Sequence, residues 1–252
     1  MIRKLLFSAA TLAITAGGAF AADLPNSKGP PMFAPPPPAF TWTGPYIGGQ
    51  VGYQWGTSDP FFTSKLAPGT ILTGNNYSNQ GVVGGGHIGF NYQVSQFVFG
   101  FEADAEGTSY KGSGVQFVCG PTCVSSTRIN AEGSVRGRLG WAWDRILFYG
   151  TGGAAFASIR NTFSDPFGLD LHTFSRAGWT VGGGAEYAID PNWSVRIEYR
   201  YTDYGQAMSF PLTNTTGGLV TEHLHERDNR VEAGFSYRFD MLAPPAPVVA
   251  KY

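Results

Sequence analysis

The chain has 252 residues, of which 35 are Gly, 15% are aromatic and only 14% are charged. With 17 basic and 18 acidic residues the formal charge is −1, too balanced to point to nucleic acid or another polyanion as partner. Low charge with abundant Gly and aromatic residues argues against disorder and against helices, and suits many short strands with tight turns.

The first segment, MIRKLLFSAATLAITAGGAFA, joins basic Arg3 and Lys4 to an apolar run over 5–16 and an Ala19-Phe20-Ala21 cleavage pattern. That layout predicts a secretory signal peptide, residues 1–21, removed after Ala21. As a membrane anchor the run is short and interrupted by Thr, Ser and Gly. No later segment approaches the ~20 continuous apolar residues of a spanning helix. Residues 22–43 begin ADLPNSKGPPMFAPPPPAF, a proline-rich stretch expected to be an extended periplasmic spacer.

From Gly44 the period-two signal of a strand returns eight times, over 44–56, 81–94, 97–107, 127–143, 146–160, 176–189, 193–205 and 227–239. Ser95-Gln96, Asp144-Arg145 and Asp190-Pro191-Asn192 read as tight turns. Between them lie long polar segments, 57–80, 108–126, 161–175 and 206–226. Short turns at one end and long loops at the other are the asymmetry of an outer-membrane barrel.

The two faces of each strand say which side is inside. In WSVRIEYRY (193–201), Trp193, Val195, Ile197, Tyr199 and Tyr201 alternate with Ser194, Arg196, Glu198 and Arg200. The other strands place Glu102, Asp104, Glu106, Arg128, Glu132, Arg136, Arg138, Glu186, Arg230, Glu232 and Arg238 on the polar face. No predicted strand holds a lysine, and seven arginines meet seven acids. Such balance suits charges that neutralise each other in a confined lumen. Trp, Tyr and Phe gather at both ends of the apolar face, as the aromatic girdles of a membrane barrel do. The strand 146–160 is apolar on both faces, and its sequence does not orient it.

Export implies an oxidising compartment, so Cys119 and Cys123 in CGPTC are expected to form a local disulfide. A redox C-x-x-C has one residue fewer, and two thiols make a poor zinc site.

GWTVGGGAEYAIDPNWSVRIEYRYTDYG (178–205), WTGPYIGGQVGYQWG (42–56) and NRVEAGFSYRF (229–239) resemble the small outer-membrane immunogenic, porin-like proteins of Gram-negative bacteria. These fall in the wider class of eight-stranded barrels similar to outer membrane protein A. The resemblance covers roughly residues 42–239. It implies an all-β, eight-stranded antiparallel up-and-down transmembrane barrel over 44–239, with periplasmic termini and four extracellular loops. It also implies outer-membrane lipid and lipopolysaccharide as surroundings, the barrel-assembly machinery as a partner, and host-surface ligands for the loops. Family members usually end on the last strand's aromatic; here a tail, 240–252, follows Phe239 and ends on Tyr252. Some members are joined to peptidoglycan through an N-terminal alanine, which here corresponds to Ala22; a passive leader is the alternative.

Other chemistry finds little support. The glycine clusters GVVGGGHIG (81–89) and TVGGGAEY (180–187) lack the Lys-Ser/Thr of a phosphate loop. They suit strands that make room for large lumen side chains. Of the four histidines, His87 is expected in the lumen beside the acids of 97–107, hydrogen-bonded and not catalytic. TEHLHERD (221–228) sets His223 and His225 near Glu222 and Glu226, expected as a solvated loop and only weakly suited to a metal. The chain is therefore expected to be no enzyme and to need no cofactor. Three roles remain open: a structural, surface-exposed envelope protein with a plugged lumen, a narrow pore for ions or small solutes, or haem or metal binding at the loops.

Overall fold

Alternation that survives for up to 21 residues at a stretch produces strands far longer than a bilayer requires. The computed structural model describes residues 40–116, 122–205, 208–216 and 219–239. Its elements are β1 (Gly44–Ser64), β2 (Ile71–Thr73), β3 (Tyr77–Val94), β4 (Phe97–Thr108), β5 (Lys111–Val115), β6 (Val124–Trp143), β7 (Ile146–Asp165), β8 (Gly168–Ala188), β9 (Trp193–Asp203), β10 (Met208–Pro211), α1 (Thr213–Thr216) and β11 (Val220–Arg238).

Eight of these strands form an antiparallel ring in the order β1-β3-β4-β6-β7-β8-β9-β11. It closes where β11 pairs with β1, from Tyr46↔Arg238 to Ser64↔Val220. Closure leaves no unpaired backbone edge in lipid. The tight turns fall where expected; Ser95 and Asp144 adopt positive φ, 56° and 51°. Asp190 holds the third turn, its carboxylate accepting from the backbone N–H groups of Asn192 (2.8 Å) and Trp193 (2.7 Å).

The segments expected as long loops are in large part strand. β1 runs to Ser64, β3 begins at Tyr77, β7 and β8 meet across Asp165↔Gly168, and β11 begins at Val220. At ~3.3 Å per residue and a tilt near 40°, a 21-residue strand rises roughly 50 Å, against a hydrocarbon band of about 25 Å. The surplus stands outside the membrane as a collar. The sequence pattern hides it because above the bilayer each face mixes polar and apolar residues, Glu222 and Phe163 inside, His223 and Leu171 outside, so the alternation fades. Lys111, expected in a loop, opens the short collar strand β5.

Outward residues mark the membrane band. Tyr92, Phe97, Phe99, Trp141, Trp143, Tyr187 and Trp193 are exposed near the tight turns, and Tyr53, Trp55, Trp179 and Tyr199 near the collar. β7, which the sequence left unoriented, points Leu147, Tyr149, Ala155, Ala157 and Ile159 inward and Phe148 and Phe156 outward. Glycine serves close approach at two inward positions. A Cβ on Gly48 would lie 2.4 Å from the His87 ring, and one on Gly89 would lie 2.4 Å from the Tyr46 ring.

Candidate functional site in the barrel lumen

Inward alternation brings the charges of five strands, β4, β6, β8, β9 and β11, into one buried layer. Arg196 on β9 donates to Glu102 on β4 at 2.5 Å. These strands are four places apart in a ring of eight, so the contact crosses the lumen's full width. Arg200 and Asp104, on the same opposed strands, meet at 3.5 Å. Arg230 on β11 bonds Glu132 on the opposite strand β6 and Glu106 on β4, the latter at 2.5 Å.

The network branches from there. Arg136 donates to Glu102 (2.6 Å), to Asp104 (3.1 Å) and to Glu198. Glu198 also accepts from Arg200 Nε (3.2 Å) and the Tyr149 hydroxyl (3.0 Å). Arg138 pairs with Glu186 and lies 3.7 Å over the Tyr149 ring. Arg200 reaches Glu232 at 3.2 Å. Uncharged lumen residues complete the shell: Tyr46 donates to Glu102 (2.9 Å), Gln54 to Glu132 (2.7 Å) and Gln50 to Glu106. The central gap among Asp104, Glu106, Glu132, Arg200 and Arg230 has no room for a water molecule. Multiple charge-assisted bonds per ion are what make burial of so many charges tolerable.

Apolar layers bracket the charged one. Toward the tight turns, Trp42, Val98, Ala142, Leu147, Tyr149 and Ala188 pack together, with Phe40 against them. On the collar side lies a cluster containing Tyr110, Ile129, Ile159, Tyr204 and Leu224. Still farther out, Phe62, Cys123, Phe163 and Leu212 form a third cluster. Charged and apolar layers thus succeed one another along the lumen among the described residues, as the width of an eight-stranded barrel allows.

This closed ring, apolar outside and charged inside, matches known proteins over nearly its whole sequence. Residues 8–239 match the family described as outer membrane protein beta-barrel domain. The 31 kDa outer-membrane immunogenic protein of Brucella melitensis is 36% identical over 247 residues, covering 94% of this chain and 100% of that protein. The chain belongs to the outer membrane protein beta-barrel family. The 25 kDa outer-membrane immunogenic protein of Brucella abortus is 31% identical, covering 94% of this chain and 99% of that one. Among solved structures, the outer membrane protease OmpT of Escherichia coli has TM-score 0.51 at 10% identity, covering 80% of this chain and 98% of that one, a likeness of fold alone. The protein is a Gram-negative outer-membrane barrel, and its tight turns face the periplasm by the rule of that class.

Thirteen of the fourteen charges expected inside this outer-membrane barrel are buried there; Arg128 is not. β6 carries a bulge between Ile129 and Ala131, and one extra residue reverses every side chain beyond it. Ile129 therefore turns inward and Arg128 outward. Arg238 is buried at the periplasmic end, apart from the main network. Its guanidinium donates to the Pro191 carbonyl and lies 4.7 Å over Phe40 and 5.4 Å over Trp42.

TEHLHERD is not a solvated loop but part of β11, and its alternation separates the residues expected together. Glu222, Glu226 and Asp228 are fully buried in the collar lumen. Glu226 accepts from Tyr110 (2.7 Å), Asn79 (2.9 Å) and Ser58; Glu222 accepts from Ser125 (2.7 Å). Burial without an ion-paired cation pushes each of the two glutamate carboxyls up to about 7. His223 and His225 point the other way. His223 stacks on Phe61 at 4.5 Å, and His225 Nε2 meets Asp203 at 2.9 Å. Among the described residues no cluster of three metal-ligating side chains occurs. His87 is buried, registered opposite Asp104, with Nε2 2.9 Å from the Ser236 hydroxyl.

Cys123 is buried in the outermost apolar cluster, while Cys119 lies outside the described residues. So do the expected signal peptide, Ala22 with most of its proline-rich spacer, and the tail ending at Tyr252.

Proposed function

We propose that this protein is a closed, non-enzymatic envelope barrel that braces the outer membrane and presents a rigid collar to the surroundings. The observation that carries the reading is the Arg196–Glu102 contact across the lumen, buried between two apolar layers. A solute would have to break several charge-assisted bonds at once to pass, each worth about 1.5–3 kcal/mol. The histidines support no hydrolytic role: His87 bonds Ser236, His225 bonds Asp203, and His223 sits between Ser209 and Thr63.

At the periplasmic side, the spacer before Gly44 suits attachment of Ala22 to peptidoglycan, which would tie the barrel to the wall. Muramidase digests of washed sacculi should then yield peptides beginning at Ala22 with an added muropeptide mass. Liposome swelling tests the closed barrel: proteoliposomes should resist sugars and amino acids as empty liposomes do. A deletion strain should meanwhile lose resistance to detergent. Swelling at porin-like rates would replace this reading with a pore.

A further inference from the structure

The bulge that sends Arg128 outward also places it in a row of like charges. Lys111 on β5 pairs in register with Arg128 on β6, which pairs with Arg160 on β7. All three side chains are exposed. Paired residues on neighbouring strands stand about 5 Å apart, so three cations share a strip roughly 10 Å wide. Like charges directly opposite one another destabilise a sheet, and neighbours about 5 Å apart lie within the ~8 Å screening length of physiological salt. The row is flanked by Gln80 on one side and Thr173 on the other, neither an acid. Nearby rim charges are arranged differently: outward Arg227 pairs with Asp59 at 3.0 Å, and His225 with Asp203 at 2.9 Å. Among the described residues no carboxylate ion-pairs with Lys111, Arg128 or Arg160, so the row is suited to an external anion.

Height identifies it. Phe156 is the last large apolar residue facing outward on β7, and Arg160 lies four residues beyond it. Four residues of tilted strand rise about 10 Å, from the edge of the hydrocarbon to the level of outer-leaflet headgroups. Flexible Lys and Arg stems reach several ångströms further along such a boundary. We propose that Lys111, Arg128 and Arg160 form a binding site for the phosphate groups of lipopolysaccharide, gripping the outer leaflet on one side of the barrel. Arginine's planar fork suits bidentate contact with phosphate, and lysine adds a point charge at the end of the row. The site depends only on placement in the outer membrane and not on whether the lumen is closed.

The test uses the full chain purified from outer membranes in mild detergent and titrated with bisphosphorylated lipid A. Lys111→Ala/Arg128→Ala/Arg160→Ala should weaken binding roughly tenfold or more, the loss expected of several charge-assisted bonds. Fully dephosphorylated lipid A should bind the unaltered protein as poorly as intact lipid A binds the triple variant. Arg227→Ala, outside the row, should bind within twofold of the unaltered protein. Heat-modifiable gel mobility checks that each variant is folded. Should the triple variant fail to fold, Lys111→Gln/Arg160→Gln keeps long polar stems and should show the same direction of loss. Equal binding of lipid A by the folded variants and the unaltered protein would overturn the site. So would inorganic phosphate that displaces lipid A at equal concentration, since that marks a small-anion site. Loss of heparin binding with lipid A binding intact would assign the row to a sulfated polysaccharide and overturn it as well.

Discussion

Arg196 and Glu102 face each other from opposite walls of the barrel and meet at 2.5 Å, with both side chains buried. Because the strands that carry them are diametrically placed, this bond does what no neighbouring pair can: it ties one half of the ring to the other. The same opposed strands repeat the bracing through Arg200 and Asp104. Rigidity of this kind is expected to appear in stability before it appears in any activity.

Glu198 accepts from two arginines and a tyrosine, so its loss leaves buried guanidinium charge uncompensated. Glu198→Ala should destabilise the barrel by about 3–5 kcal/mol in urea unfolding monitored by gel mobility. Ile197→Arg, on the lipid face of the same strand, should cost about 2–4 kcal/mol through desolvation in hydrocarbon. A silent Glu198→Ala would mean that water reaches the network.

Face assignment of this kind was legible wherever one side of a strand met lipid. Val195, Ile197 and Tyr199 alternate with Arg196 and Glu198 because hydrocarbon and a charged lumen demand opposite chemistries. Two kinds of feature escaped. The bulge before Ala131 has no compositional mark, so strict alternation puts Arg128 inside although it points out. In the collar, solvent replaces lipid, and Glu222 inside looks no different in sequence from His223 outside. Tyr110, Asn79 and Ser58, which hold Glu226, were hidden for the same reason.

The collar carboxyls give a pH dependence with a definite sign. Folded Glu222 and Glu226 hold their protons up to about 7, whereas in the unfolded chain a glutamate loses its proton near 4.5. Between those values the folded state binds more protons, so stability falls as pH rises through this window. Each carboxyl should contribute a loss of about 3 kcal/mol by pH 8, an upper figure if water enters the collar. Unfolding midpoints should therefore rise from pH 8 to pH 5, and Glu226→Gln should flatten part of that slope. A midpoint that falls over the same range would reverse the assignment.

Surface proteolysis should follow the collar as observed and not the long loops that sequence suggested. On intact cells, cuts belong at the exposed tips around Leu66 and Phe167, which are 75% and 85% exposed. Paired stretches such as 57–63 and 158–164 should resist. Cleavage at Ser95 or Asp144 from outside would invert the barrel in the membrane.

Cys119 and Cys123 should resist alkylation until reduced. The loop they would close is short, so its effect on unfolded-chain entropy is small. Reduction should leave barrel melting nearly unchanged, with any shift confined to the outermost cluster of Phe62, Phe163 and Leu212. Collapse of the barrel on reduction would show that the bridge anchors the collar.

The closed lumen itself is tested most directly by single-channel recording of the purified barrel in a planar bilayer. The bonds from Arg196 to Glu102 and from Arg230 to Glu132 span the interior, and the gap beside them excludes water. The unaltered protein should add no discrete current steps to the bare bilayer at any salt concentration. Reproducible open steps whose size scales with salt, recorded from the unaltered protein, would contradict a plugged barrel.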